Sequence, residues 1–258
     1  MRKTPKIHNI MSRIIPFLLS FYFYALFIFL TVVVAVILTI YVVSLGLLFP
    51  SRRRTMKRIR RAINWYGLII ITSAYPFMRL RYENLAGDES EGPYIFVCNH
   101  RSALDAYLIA ILPYELVQIV NIWPFRIPIL GIVAKIAGYL NIRMMPPEQF
   151  TVSALTLLKD GVTIVFFPEG TRSTSLKMGR FHSSAFRLAL ESKASIVPLC
   201  ISGSEIISAK GSPLLRPGTI KIRRLPAISW DDYKDLTAFA FKNRVWKIMD
   251  RELSTMDI

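Results

Sequence analysis

The stretch that decides the fold class is Tyr94-Ile95-Phe96-Val97-Cys98-Asn99-His100-Arg101-Ser102-Ala103-Leu104-Asp105. It opens with an uninterrupted run of apolar residues, several of them β-branched or aromatic, which is typical of a strand buried on both faces. Residues 103–112 then predict a helix that Pro113 ends. A buried strand followed directly by a helix is the repeating unit of a parallel α/β sheet.

The same alternation continues along the chain. Further strands are predicted at 116–122, 163–167, 195–202 and 218–228, and further helices at 129–139, 151–159, 184–193 and 233–253. Residues 83–93 are polar and contain glycine, which indicates a linker. The sequence therefore predicts an α/β fold with a mostly parallel β-sheet flanked by helices.

His100 and Asp105 lie five residues apart, directly after the first predicted strand. Residues at this separation do not share a face of a regular helix, so we expect His100 in the turn and Asp105 in the first helical turn. There the carboxylate can accept a hydrogen bond from Nδ1 of the imidazole, which leaves Nε2 as a general base. A second interpretation stays open, because Ser102 and Asp105 also have the spacing of a capping box.

A second polar motif, Phe167-Pro168-Glu169-Gly170-Thr171-Arg172-Ser173, stands at the end of another predicted strand. Open α/β sheets bind ligands at the carboxyl ends of their strands, and an arginine fork suits phosphate oxygens. A structural turn with an Arg–Glu pair is the alternative. The sequence has no G-x-S-x-G elbow, no Walker A loop and no Cys/His cluster with metal-ligand spacing. The attacking group is therefore expected to be a substrate hydroxyl, activated by the histidine.

The N-terminal part of the chain is strongly apolar. The mean hydropathy of the chain is +0.40, and residues 17–49 are almost entirely apolar. This run is longer than the core of a signal peptide and long enough to cross a bilayer, so we predict a membrane helix. Residues 63–78 form a shorter apolar stretch with Trp65 and Tyr66, which predicts an interfacial helix. A core helix of the following domain is the alternative.

The net charge of +16 is unevenly distributed. Thirteen lysines and arginines precede Glu83, the first acidic residue, which leaves 20 basic and 17 acidic residues from there onward. Seven of the thirteen lie between residues 52 and 61, and such runs bind anionic lipid on the cytoplasmic leaflet with about 1 kcal/mol per charge. This distribution disfavours nucleic-acid binding. Cys98 and Cys200 lie in apolar runs and are expected to be buried free thiols.

The two polar motifs together resemble the glycerolipid acyltransferase family, which includes the bacterial 1-acylglycerol-3-phosphate acyltransferases. Asn99-His100-x4-Asp105 is similar to the first block of that family and residues 167–172 are similar to the third. Residues 138–143 and 196–199 resemble the second and fourth blocks, so the resemblance covers about residues 83–226. Two positions depart from the pattern. Ile142 stands where the family often has Asp, and Phe181-His182-Ser183-Ser184 stands where it often has Phe-Lys-x-Gly.

The resemblance implies a role for each matching residue. His100 would be the general base and Asp105 its partner. Arg143 and Arg172 would contact the phosphate of the acceptor. A substrate-binding or site-shaping role would fall to the remaining residues of the third block, which are Glu169, Gly170 and Thr171.

The resemblance also implies an activity and a location. The protein would be a membrane-bound O-acyltransferase that moves a fatty acyl group from an acyl thioester to the free hydroxyl of lysophosphatidate, giving phosphatidate. Acyl-CoA or acyl carrier protein would be the donor, without a metal or bound cofactor. Acylation of another lysolipid, such as a lyso-ornithine lipid, and a non-catalytic lipid-binding protein are the alternatives. We expect a membrane anchor over residues 1–82 and a cytoplasmic acyltransferase domain over 83–258, at a bacterial inner membrane.

Overall fold

The computed structural model describes residues 5–48, 51–87, 92–120, 128–173 and 175–257. Its strands are β1 Met78–Asn84, β2 Ile95–Cys98, β3 Leu116–Val120, β4 Leu140–Asn141, β5 Thr163–Phe166, β6 Ile196–Ser202 and β7 Gly218–Arg224. They form one sheet in the order β1-β7-β6-β2-β5-β3-β4, in which β6 and β7 are antiparallel and the other neighbours are parallel. The predicted α/β fold class with a mostly parallel sheet is confirmed.

Helices cover both faces of this sheet. They are α1 Pro5–Leu48, α2 Arg52–Ser73, α3 Asp105–Leu108, α4 Pro128–Ile136, α5 Pro147–Lys159, α6 Ser184–Ser192, α7 Ser204–Ile207, α8 Trp230–Tyr233 and α9 Ala238–Met256. Side chains alternate between the faces of β2, so Ile95 and Val97 pack with α5, α6 and α9, whereas Phe96 and Cys98 pack with α1, α2 and α3. All four are fully buried, which explains why this strand is an uninterrupted apolar run.

The helix α1 lies against the domain along part of its length. Leu19 and Phe23 are buried, and the backbone N–H of Leu215 donates a hydrogen bond to Ser20 Oγ at 2.7 Å. Many other apolar side chains of this helix are exposed. Over Ile14–Tyr41 the helix is long and apolar enough to cross a membrane, by length and composition.

The helix α2 packs closely on the same face of the sheet. A Cβ on Gly67 would lie 2.7 Å from Cβ of Ala110, in the 3-10 turn Ile109–Ile111, so only glycine permits this approach. Arg60 is buried, donates to the carbonyl oxygen of Ala137 at 2.7 Å and forms an ion pair with Glu115 at 2.8 Å. The basic run is therefore not wholly solvated, because one of its arginines anchors the helix to the domain.

The boundaries around α2 differ from those predicted. The interfacial helix expected at 63–78 is the second part of α2, which begins at Arg52 and ends at Ser73. The linker predicted over 83–93 is wrong at its start, because Glu83 and Asn84 belong to β1. β1 lies at the edge of the sheet and is largely exposed after Met78, so it lacks the apolar run by which the longer inner strands were predicted. It also crosses the expected domain boundary between residues 82 and 83.

Several short elements were not predicted. The helix expected at 103–112 is only α3 and the 3-10 turn that follows it. β4, α7 and α8 are two to four residues long and carry no periodic signal. The predicted strand 116–122 is observed as β3, with residues 121 and 122 outside the described part of the chain. The predicted helix 233–253 is α9, which begins at Ala238.

Candidate active site

The loop that carries His100 follows β2, between the ends of two other strands. β2 pairs in parallel with β5 on one side and with β6 on the other, so the carboxyl ends of all three meet at one edge. Asn99 fixes the loop to β6: its Nδ2 donates to the carbonyl oxygen of Ile201 at 2.8 Å, and its Oδ1 accepts from the backbone N–H of Ile201 at 2.7 Å. The side chain of Asn99 thus replaces the next pair of sheet hydrogen bonds.

His100 and Asp105 form a hydrogen-bonded pair. Nδ1 of His100 lies 3.0 Å from Oδ2 of Asp105, whose side chain is fully buried, whereas the imidazole is 21% exposed. An ionised carboxylate only accepts hydrogen bonds, so Nδ1 is the donor and the neutral ring keeps a lone pair on Nε2. Phe167 packs against the imidazole with the ring centroids 4.7 Å apart. The ring is therefore held on one side by a carboxylate and supported by an aromatic side chain.

The same carboxylate oxygen also organises the turn. Asp105 Oδ2 accepts hydrogen bonds from the backbone N–H groups of Arg101 and Ser102, each at 2.7 Å. Ser102 Oγ accepts from the backbone N–H of Leu104 at 3.2 Å rather than from that of Asp105. One half of the predicted capping box is thus present, together with the pairing to His100. The two interpretations of the motif describe one arrangement.

Glu169 joins the loop that follows β5 to the loop that carries His100. Its side chain is buried, and Oε1 accepts a hydrogen bond from the backbone N–H of His100 at 2.7 Å. Oε2 accepts from the hydroxyl of Ser173 and from the backbone N–H of Gly179 at 2.7 Å. A Cβ on Gly179 would lie 2.8 Å from this Oε2, so the glycine makes room for the carboxylate. Of the predicted roles, these contacts fit site shaping.

The other residues of this loop lie at the surface of the site. Gly170 has a φ of +69°, which favours glycine, and a Cβ there would lie 3.2 Å from the ring of His182. Thr171 is exposed. Arg172 is half-buried and Arg143 is exposed, and neither guanidinium has a hydrogen-bond or ion-pair partner within the described ranges. Both cations are therefore available to an anionic ligand.

A cavity of about 1290 Å³ brings most of these residues together. Its polar lining residues include His100, Arg143 and Arg172, and its apolar lining comes from α1, α2 and the segment after β2. The apolar lining includes Phe23, Phe27, Val34, Tyr66 and Tyr107. A base and free cations beside an apolar chamber are suited to a ligand with an anionic headgroup and a hydrocarbon chain.

Sequence reasoning missed four residues of the site. Asn99 and Arg101 belong to the quoted motif, but no role followed from their spacing. His182 and Arg187 line the cavity, and we predicted no role for either of them from the sequence. The only available signal was the departure at Phe181-His182-Ser183-Ser184, which marks the segment directly before α6.

The cysteines are buried free thiols, as predicted. Burial, and secondarily the charge of Asp105, raises the pKa of the Cys98 thiol well above its ordinary value. Burial likewise raises the pKa of Cys200. Neither is therefore a thiolate nucleophile near neutral pH. Within the described ranges, no group of three or more His, Cys, Asp or Glu side chains has the geometry to hold a metal ion.

Comparisons with known proteins show that the chain is similar to acyltransferases. The sequence profile of the Acyltransferase family matches residues 79–202. The chloroplastic 1-acyl-sn-glycerol-3-phosphate acyltransferase LPAT1 of Arabidopsis thaliana is 32% identical over 155 residues, which cover 58% of this chain and 44% of that protein. The 1-acyl-sn-glycerol-3-phosphate acyltransferase alpha of Mus musculus is 32% identical over 143 residues, covering 53% of this chain and 50% of that protein. The chain thus spans about half the length of these curated relatives.

The fold is that of a solved acyltransferase. The crystal structure of the 1-acyl-sn-glycerophosphate acyltransferase PlsC from Thermotoga maritima matches with a TM-score of 0.75 and 22% identity, over 95% of this chain and 98% of that one. The residues that match the Acyltransferase family profile, 79–202, contain both polar motifs, with His100, Asp105 and Arg172.

Proposed function

We propose that this protein is a 1-acyl-sn-glycerol-3-phosphate acyltransferase, which converts lysophosphatidate to phosphatidate. The observation that carries the proposal is the His100–Asp105 pair, in a cavity that is also lined by Arg143, Arg172 and apolar side chains. The names of the relatives and the fold of PlsC support the same activity. A lipid-binding protein would have no use for a base oriented by a buried carboxylate.

We infer the steps of the transfer from the geometry of this pair. His100 Nε2 takes the proton of the acceptor hydroxyl as its oxygen attacks the carbonyl carbon of the acyl thioester. Asp105 accepts the Nδ1 hydrogen bond and stabilises the imidazolium that forms. The new C–O bond forms, the C–S bond breaks, and the imidazolium returns the proton to the thiolate. The donor in this proposal is acyl-CoA or acyl carrier protein.

The acceptor is held by charge. Arg143 and Arg172 line the cavity without a partner among the described residues, and a guanidinium fork binds phosphate through two parallel hydrogen bonds. Holding the phosphate fixes the position of the hydroxyl relative to the base, which is a large part of catalysis by proximity. A lyso-ornithine lipid offers these arginines a single carboxylate next to its own ammonium group, whereas the phosphate of lysophosphatidate offers more negative charge and more acceptor oxygens, and this favours lysophosphatidate.

The apolar helix α1 anchors the protein in this proposal. Buried contacts with the domain run from Leu19 to Thr31, where the hydroxyl lies 2.6 Å from that of Tyr66. This part is about 18 Å long at 1.5 Å per residue. A helix bound to the domain on one side presents only its other side to lipid. These contacts support an anchor that rests in the cytoplasmic leaflet of a bacterial inner membrane, with the basic run of α2 on the cytoplasmic side.

An acyltransferase assay tests the activity. Purified protein in detergent is given a fatty acyl-CoA or acyl carrier protein and a panel of lysophosphatidate, lyso-ornithine lipid and monoacylglycerol. We expect lysophosphatidate to be preferred, and H100A to lower kcat by about 10² to 10⁴. D105N should also lower kcat, because it removes the carboxylate that holds His100. D231N is its control, because Asp231 on α8 is an exposed aspartate that pairs with Lys234 directly after that helix. Transfer by a folded H100A variant near the wild-type rate would refute the mechanism.

A further inference from the structure

Arg101 is a buried cation next to the base. Its side chain is 2% exposed, and its guanidinium donates four hydrogen bonds. Nη1 donates to Asp257 Oδ1 at 2.7 Å and to Glu205 Oε1 at 3.2 Å, and Nη2 donates to Asp257 Oδ2 at 2.8 Å and to the carbonyl oxygen of Leu176. The two bonds to Asp257 form a bidentate pair, the strongest arrangement between arginine and a carboxylate.

Asp257 lies directly after α9 and 156 residues from Arg101 in the chain. It is fixed by more than the arginine. The hydroxyl of Ser202, at the end of β6, donates to Asp257 Oδ1 at 2.6 Å, and Lys221 Nζ donates to the carbonyl oxygen of the neighbouring Met256 at 2.9 Å. The end of the last helix is therefore held at the sheet edge that carries the base.

The backbone of Arg101 connects this pair to the reacting imidazole. Its N–H donates to Asp105 Oδ2 at 2.7 Å, and this oxygen is the one that lies 3.0 Å from His100 Nδ1. One residue thus holds Asp257 through its side chain and Asp105 through its backbone. Without Asp257 the guanidinium keeps only its longer bond to Glu205 and its bond to the carbonyl oxygen of Leu176, so we expect it to shift toward these partners and to displace the adjoining backbone.

We propose that Asp257 is a positioning residue for acyl transfer, because it holds Arg101 where its backbone N–H keeps the Asp105 carboxylate on Nδ1 of His100. This inference rests on the proposed function, since it concerns the same base. Asp257 is not among the residues that line the cavity. Its effect is therefore expected in the turnover of bound substrate and not in substrate affinity.

The test compares kcat and KM for lysophosphatidate and acyl-CoA across four full-length proteins: wild type, D257N, D257E and E252Q. E252Q is the matched control, because Glu252 is also a carboxylate of the α9 segment and pairs with an arginine, Arg223. We expect D257N to lower kcat by about 10- to 100-fold, as misplaced catalytic groups do. KM for both substrates should stay within about threefold of wild type, because the residues that contact the bound substrates are unchanged. D257E should recover part of kcat, and E252Q should resemble wild type.

Other outcomes overturn the proposal. Unchanged kcat in folded D257N would do so, as would a raised KM at unchanged kcat or an equal loss in E252Q. If D257N does not fold, S202A replaces it, since it loosens Asp257 without leaving Arg101 unpaired. A kcat for S202A equal to that of wild type then refutes the inference. An inactive wild-type protein would instead refute the proposed function, so the two failures are distinguishable.

Discussion

The backbone N–H of His100 donates to Glu169 Oε1 at 2.7 Å, so a single carboxylate joins the loop that carries His100 to the loop that carries Arg172. Because both carboxylate oxygens are occupied, Glu169 is used entirely within the protein. Its importance to the site is therefore geometric, because it fixes the loop of His100 relative to the loop of Arg172.

E169Q should reduce both stability and turnover. The amide can still accept from His100 N–H, but its NH2 group would face the N–H of Gly179, and two donors cannot pair. We expect a loss of about 1.5–3 kcal/mol in the free energy of unfolding, the range for a hydrogen bond to a charged group. Denaturant unfolding measures this loss, with E191Q on the exposed face of α6 as the control. Equal stability of E169Q and wild type would contradict the bonding pattern.

R172A should impair the use of lysophosphatidate far more than the use of an uncharged monoacylglycerol. A charge-assisted hydrogen bond contributes about 1.5–3 kcal/mol, which corresponds to a loss in kcat/KM of roughly tenfold to a hundredfold. R180A is the control, because Arg180 is an exposed arginine of the same loop. R143A should show the same selectivity. Equal losses on both acceptors would assign Arg172 a structural role.

Membrane attachment should depend on the exposed apolar side of α1. Salt screens the basic run but not apolar insertion, so high salt should leave the protein in the membrane fraction and detergent should release it. F29K should weaken attachment, because a lysine within the bilayer costs about 2.5–3.5 kcal/mol. V152K is the control: Val152 on α5 is 64% exposed and Phe29 is 62% exposed. Release by salt alone, or equal effects of the two lysines, would contradict the anchor.

The Arg101–Asp257 pair should make stability depend on pH. Burial raises the pKa of Asp257, but the hydrogen bonds from Arg101 and Ser202 outweigh it and leave the pKa below its ordinary value. The ionised group therefore stabilises the fold above the unfolded-state pKa of about 3.9, and this contribution is lost as the pH falls through the lower folded-state pKa. Thermal unfolding at pH 7, 5, 4 and 3 should show D257N less stable than wild type at pH 7, with the difference shrinking below pH 4. A constant difference would refute the linkage.

The pairing of His100 with Asp105 could be predicted from their spacing, whereas the contacts between residues distant in the sequence could not. His100 and Asp105 lie on one turn, so five residues of sequence sufficed to predict their pairing. The direction of Glu169 depends on the register of β2 against β5, which no local pattern encodes. The partner of Arg101 is still further away, after the last helix. β1 was not predicted, because an exposed edge strand has no apolar run in its sequence.

The helix α1 gives side chains to the cavity wall and exposes others on its outer surface. Phe23, Phe27 and Val34 line the cavity, while Phe21, Ile28 and Phe29 are exposed and do not line it. A rotation or a one-residue shift of this helix would alter both surfaces in one step. Neighbouring positions of α1 are therefore under two different constraints, one from the cavity wall and one from the exposed outer face. A substitution that changes the outer face must leave the shape of the cavity unchanged.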